Sequence, residues 1–209
     1  ETPNGLDSGE HHSTAYDMAL IACYALKNDE FKEIINTRQA EIKSDRCTYT
    51  IINKNRLLNE YDGAIGVKTG FTGKAGNCFV GAAQRDGMTL VSVVLGSGWG
   101  SVGKERKWRD TKNILNYGFD NYKYYDICME GDFIDSLPVN NSYGRSVKVN
   151  TAETINLPLN QAERESLYVD VKLPEMLEAP VMQGEEVGRL VFKTDAETVL
   201  AECPIIAEN

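Results

Sequence analysis

A mixed α/β (α+β) unit with an antiparallel sheet, followed by a small all-β domain, is the fold class this sequence predicts. Three observations predict it. Helical periodicity and a strong two-residue hairpin signal share residues 1–122. Short alternating segments, punctuated by Pro138, Pro158, Pro174, Pro180 and Pro204, fill residues 123–209. The charge changes at the same place. Residues 1–122 carry 15 Lys/Arg and 15 Asp/Glu, whereas residues 123–209 carry 7 and 16, so the net charge of −9 lies wholly in the second part. Two domains are expected, 1–122 and 123–209.

Ser13 or Thr14 can cap a helix over residues 15–27, where Ala15, Met18, Ala19, Ala22, Ala25 and Leu26 recur at helical spacing. Asp17 in its first turn suits the helix dipole. A short helix follows at 30–36, then strand-like runs at 48–53 and 65–71. Residues 78–85 and 88–95 flank Asp86-Gly87, a favoured hairpin turn. The second arm is almost continuously apolar over 90–95, as a strand buried on both faces would be. After a glycine-rich loop at 96–100, a long helix is expected over 102–122. It would turn Trp108, Ile114, Leu115 and Phe119 inward and Lys104, Glu105, Arg106, Lys107, Arg109 and Asp110 outward. Strands are then expected at 124–129, 133–139, 145–149, 154–157, 167–173, 186–193 and 198–203.

At 42% hydrophobic the chain can bury a real core, and its negative charge argues against a nucleic-acid partner. The five cysteines, Cys23, Cys47, Cys78, Cys128 and Cys203, form no C-x-x-C pair, which argues against a zinc or redox motif. Cys23, ending the run Ala19-Leu20-Ile21-Ala22-Cys23, reads as a buried free thiol. Their pairing and the redox compartment stay open. His11 and His12 have no acidic neighbour at metal spacing and read as a polar loop before the first helix. There is no signal peptide and no apolar run long enough to span a bilayer. The opening residues read as the middle of a loop, so a piece of a longer protein is expected.

The stretch richest in chemistry is Asp62-Gly63-Ala64-Ile65-Gly66-Val67-Lys68-Thr69-Gly70-Phe71-Thr72. A lone Lys-Thr-Gly recurs by chance, but this one lies on an expected strand directly before the hairpin. The block from Gly63 to Thr72, followed by Ala75-Gly76, resembles that of the serine-type D-alanyl-D-alanine carboxypeptidases, the low-molecular-mass penicillin-binding proteins of peptidase family S11. Thr2-Pro3-Asn4-Gly5-Leu6-Asp7, His12-Ser13-Thr14-Ala15, Asn53-Lys54-Asn55-Arg56-Leu57-Leu58 and Gln183-Gly184-Glu185-Glu186-Val187-Gly188-Arg189-Leu190 resemble other segments of that family, in the right order.

The resemblance implies part of a β-lactamase-like catalytic domain followed by a β-rich domain, and removal of the last D-Ala from peptidoglycan stem peptides. A free substrate carboxylate calls for a cation and a hydroxyl, which Lys68 and Thr69 supply. The oxyanion of the attacked carbonyl calls for preorganised N–H donors, of which the Phe71 backbone N–H is one by family analogy. Gly70 leaves room for close approach, Thr72 belongs to the same block, and Lys54 aligns with a position where some members carry a substrate-side arginine. Strict alternation puts Lys68 and Thr69 on opposite faces, so both reach one cleft only if this is an edge strand. No cofactor is implied. The implied partners are peptides ending in D-Ala-D-Ala and, for the complete enzyme, β-lactams; the implied location is outside the cytoplasmic membrane.

Neither of the family's other motifs, Ser-x-x-Lys and Ser-x-Asn, precedes Lys68. The Ser-x-x-Lys at Ser101-Val102-Gly103-Lys104 follows it and reads as the start of a helix, with Ser101 as its cap. The nucleophile is therefore expected in an amino-terminal segment of the same protein, and this chain alone is expected to be inactive. The alternative is a non-catalytic wall-binding or scaffolding module with the same fold.

Overall fold

The computed structural model describes residues 5, 6 and 8–208; Thr2, Pro3, Asn4 and Asp7 of the loop resemblance lie outside them. The chain forms two compact units that divide between Asp120 and Asn121.

The first unit begins with α1 (Ala15–Ala25), capped by Thr14, whose hydroxyl accepts from the Asp17 N–H at 3.0 Å. Ala22 is buried, with Met18, Ala19, Ala25 and Leu26 half-buried beside it. Cys23 is exposed, contrary to expectation. It is one residue from Ala22 and so turned by about 100° from the buried stripe. α2 (Asp29–Asn36) is capped by Asn28, whose side-chain oxygen accepts from the Phe31 N–H at 3.0 Å. An exposed antiparallel ribbon follows, β1 (Gln39–Lys43) with β2 (Thr48–Ile52). β1 was not anticipated, because Gln39-Ala40-Glu41-Ile42-Lys43 has one β-branched residue and takes its conformation from pairing. α3 (Leu57–Glu60) then drives Leu57 and Leu58 into the core.

The main sheet consists of β3 (Ala64–Thr72), β4 (Gly76–Arg85) and β5 (Met88–Val94), antiparallel in the order β3-β4-β5. Asp86 (φ 47°) and Gly87 (φ 81°) make the β4–β5 turn, both in the left-handed region that such a turn requires. β5 is an edge strand, and Leu90, Val91, Val93 and Val94 are half-buried rather than enclosed on both faces. α4 (Gly100–Asn121) covers one face of the sheet, with Trp108 edge-on to Phe79 at 4.7 Å between ring centres. Leu57, Ala83 and Leu115 complete this core, and Phe119 packs against it.

Three expectations for α4 are corrected. Lys107, expected outside, is 5% exposed, and Ile114, expected inside, is 46% exposed. The buried stripe runs through Gly103, Lys107, Trp108, Thr111 and Leu115; Ile114 shares the helical phase of Lys107, two turns on, and is nevertheless left uncovered there. Ser101 stands inside the helix, not at its cap, because the helix begins one residue earlier, at Gly100.

The second unit is β-rich. Its six-stranded sheet contains β7 (Phe133–Asn140), β8 (Ser146–Thr151), β10 (Tyr168–Lys172), β11 (Leu177–Glu178), β12 (Glu186–Lys193) and β13 (Val199–Ala207), in the order β10-β12-β13-β8-β7-β11. A two-stranded sheet pairs β6 (Lys123–Cys128) with β9 (Ile155–Leu159). Leu137, Val149, Leu190, Phe192 and Ile205 centre its core. The short helix α5 (Gln161–Glu165) was not expected; a capping box between Asn160 and Glu163 sets it. Pro204, expected between strands, lies inside β13. Pairing of β13 with β8 begins only at Ile205, so the missing N–H interrupts no bond to that neighbour.

Candidate active site

The Lys-Thr-Gly tripeptide lies on β3, an edge strand of the three-stranded sheet, which meets the condition set by the sequence. Lys68 is opposite Val80 and Gly70 opposite Cys78, so these share one face; Thr69 is opposite Phe79 and Phe71 opposite Asn77, on the other. That second face is covered by α4, since a Cβ on Gly81 would meet Thr111 of α4 at 2.8 Å. The first face looks onto an open cavity of about 480 Å³. Its lining joins Lys68, Thr69, Gly70, Phe71 and Thr72 with the segment before α1. Because β3 is an edge, residues of both faces reach the rim.

The Lys68 ammonium donates to the Thr69 carbonyl at 2.5 Å. The Phe71 side chain is 60% exposed. Thr72 accepts from the Ala75 N–H at 3.1 Å and so shapes the turn into β4. A Cβ on Gly70 would meet only the Cys78 Cβ, at an ordinary 3.7 Å, so packing among the described residues does not require glycine there. Lys54 is exposed and is not part of the cavity lining.

His11, His12 and Ser13 line the cavity, and sequence reasoning missed them. The only signal was their place just ahead of the Thr14 cap, which carries no information about which end of the sheet α1 meets. The His12 Nδ1 lies 2.6 Å from the Glu10 carbonyl, which fixes Nδ1–H as the donor. Cys78 also faces the cavity, half-buried, accepting from the Gly96 N–H at 3.4 Å.

The far rim is a braced loop. Asn77 donates from its backbone and side chain to the Gly98 carbonyl at 2.9 and 3.0 Å, and Trp99 Nε1 donates to the Gly73 carbonyl at 2.8 Å. Beneath it the buried Lys107 ammonium lies 3.5 Å from the Asn77 side-chain oxygen and 4.9 Å from the Trp108 ring centre. Burial, then the nearby Lys104 charge, pulls the Lys107 pKa below its ordinary value. Among the described residues no group of three or more His, Cys, Asp or Glu is placed to hold a metal ion.

Comparison with known proteins identifies the family and the fold. The family model of D-alanyl-D-alanine carboxypeptidase matches residues 1–98, and that of the penicillin-binding protein 5 C-terminal domain matches residues 122–209. The chain belongs to the D-alanyl-D-alanine carboxypeptidase family. It is 31% identical over its whole length to D-alanyl-D-alanine carboxypeptidase DacF of Bacillus subtilis, covering 53% of that protein. It is 38% identical over 120 residues to DacB2 of Mycobacterium tuberculosis, across 56% of this chain and 41% of the relative. The crystal structure of penicillin-binding protein 5 from Haemophilus influenzae superposes with a TM-score of 0.73 at 26% identity, covering all of this chain and 59% of that one. The chain thus spans about half the length of the carboxypeptidases it matches.

Proposed function

We propose that this chain supplies the Lys-Thr-Gly strand and the β-rich second domain of a serine D-alanyl-D-alanine carboxypeptidase that trims peptidoglycan stem peptides outside the cytoplasmic membrane. The observation that carries the proposal is the position of Lys68-Thr69-Gly70 on a free sheet edge at the rim of an open cavity. Lys68 is the cation for the substrate's terminal carboxylate and for charge developing at the reacting centre, and Thr69 adds a hydroxyl contact.

The Phe71 N–H is one oxyanion donor. In an antiparallel strand a residue's N–H and C=O point the same way, and residues two apart share that direction. The Thr69 carbonyl is open to the Lys68 ammonium, so the same edge presents the Phe71 N–H. The open space beside Gly70 suits approach of a substrate or of the nucleophile's helix. Lys54 is a more distant substrate-side contact. In this reading the attacking serine and the Ser-x-Asn element come from another part of the same protein, and residues 1–122 are the carboxyl-terminal part of its catalytic domain. No described helix is long and apolar enough to cross a membrane.

Fluorescent penicillin followed by denaturing electrophoresis tests the proposal. The full-length protein is expected to carry a covalent label and the 209-residue chain alone to carry none. A labelled band from this chain alone, at Ser101 or elsewhere, contradicts the assignment. An unlabelled full-length protein favours a non-catalytic wall-binding module.

A further inference from the structure

Two buried thiols in the second unit lie together. Cys128 ends β6 and Cys203 sits in the middle of β13, with exposures of 8% and 0% inside one apolar cluster. Both sulfurs reach the same oxygen, the Glu153 carbonyl, at 3.7 Å from Cys128 and 3.5 Å from Cys203. Cys203 also lies close enough to Cys128 to act on its thiol. A core that needed only small apolar filling would not require two thiols converging on one carbonyl. The strands that carry them do not pair: β6 pairs with β9, whereas β13 pairs with β12 and β8.

We propose that Cys128 and Cys203 are a disulfide site, closed when the unit folds under oxidising conditions, which staples the β6–β9 ribbon to the six-stranded sheet. The oxidant is itself a disulfide, either a small molecule or a protein. One cysteine thiolate attacks it, breaking its S–S bond to give a mixed disulfide and a departing thiolate. The second cysteine attacks the protein sulfur of the mixed disulfide, forming the Cys128–Cys203 bond and releasing the second thiolate. Two electrons pass to the oxidant, and the two protons end on its sulfurs.

Burial, with Cys203 close by, pushes the Cys128 thiol up to about 11. Little thiolate is therefore present in the folded reduced unit, and closure belongs to the folding chain or to transient opening. The remaining cysteines do not compete from within the core, since Cys23 and Cys47 are exposed and Cys78 lies in the first unit. The bond would close a loop of some 75 residues, long enough for a large entropic effect on the unfolded chain.

The test uses the 209-residue chain with Cys23, Cys47 and Cys78 changed to Ser, unfolded and refolded in a mixture of oxidised and reduced glutathione. The expected product has lost the mass of two hydrogens and yields a peptide linking Cys128 to Cys203. Its β unit should melt about 8 °C or more above the same sample treated with a reductant. C203A should show no such difference. If the triple variant does not fold, peptide mapping of the parent chain after the same treatment decides, with the Cys128–Cys203 link as the expected main product. Free, alkylatable thiols at both positions, a different dominant pairing, or a lower melting point on oxidation would overturn the proposal.

Discussion

Gly103 of α4 lies directly against the backbone of Gly98: a Cβ on Gly103 would stand 2.2 Å from the Gly98 carbonyl carbon and 2.3 Å from its oxygen. Helix and loop can touch this closely only because Gly103 lacks a side chain, while Gly98 is glycine for its φ of +111°. The same loop accepts from Asn77 and contributes Gly96 to the cavity. Gly103→Ala should therefore push the loop away or shift the helix. The expected cost is about 2–4 kcal/mol, although alanine is otherwise the better helix former. Thermal unfolding checks this; a melting temperature equal to or above the parent's would mean that helix and loop are not in this contact.

Lys107 has no carboxylate partner among the described residues, and its contact with Asn77, at 3.5 Å, is long for a hydrogen bond. Desolvation then outweighs attraction, and Lys107→Met should leave stability unchanged or raise it by on the order of 1 kcal/mol at pH 7. The pH dependence follows from the sign. The folded state holds this proton less tightly than the unfolded chain, so the parent gains stability as pH rises from the depressed folded value toward the ordinary 10.5. The advantage of Lys107→Met should shrink over that window. Denaturant titrations at neutral and alkaline pH measure it.

Glu60 accepts from Arg56 at 2.6 Å and from Lys112 at 2.8 Å, tying α3 to α4, and these two hydrogen bonds hold its carboxyl below the ordinary 4.5. The resulting stability is present above the unfolded value and is lost as pH falls through the folded one. All three side chains are roughly a third exposed, so solvent screens the pairs, and Glu60→Gln should cost only about 1 kcal/mol at neutral pH. At an acid pH below the folded value the cost should largely vanish, as both proteins then carry a neutral group. Chemical denaturation of the two proteins at both pH values tests this.

The second unit should fold alone. Every buried residue of its core, from Cys128 to Ile205, comes from its own strands. Residues 121–209 are expected to give a β-type circular-dichroism spectrum and a cooperative thermal transition. A disordered spectrum would refute this independence.

Much of this architecture was legible in the sequence. The Asp86-Gly87 turn, the Thr14 cap and the seven longer strands of the second unit follow from local chemistry that packing reinforces. β1 was not legible, because its strand conformation comes from its partner. Lys107 and Cys23 were misplaced because residue type suggested one environment and helical phase imposed another. Within the site, the residues of β3 set the edge position only as a condition, since strand order depends on contacts distant in sequence. His11 and His12 were overlooked for the same reason: only the packing of α1 on the sheet brings them near Lys68.

The most direct measurement is the second-order acylation rate of the full-length protein by a β-lactam, with Lys68→Ala compared with the parent. Loss of a charge contact made in the transition state should cost about 2–4 kcal/mol, roughly 30- to 1,000-fold in rate, with the melting temperature preserved. Thr69→Val should lose less, about 0.5–1.5 kcal/mol, and Ser101→Ala should acylate nearly as the parent does. Parental acylation by Lys68→Ala together with an inert Ser101→Ala would contradict the account and move the chemistry to the Ser101–Lys104 pair.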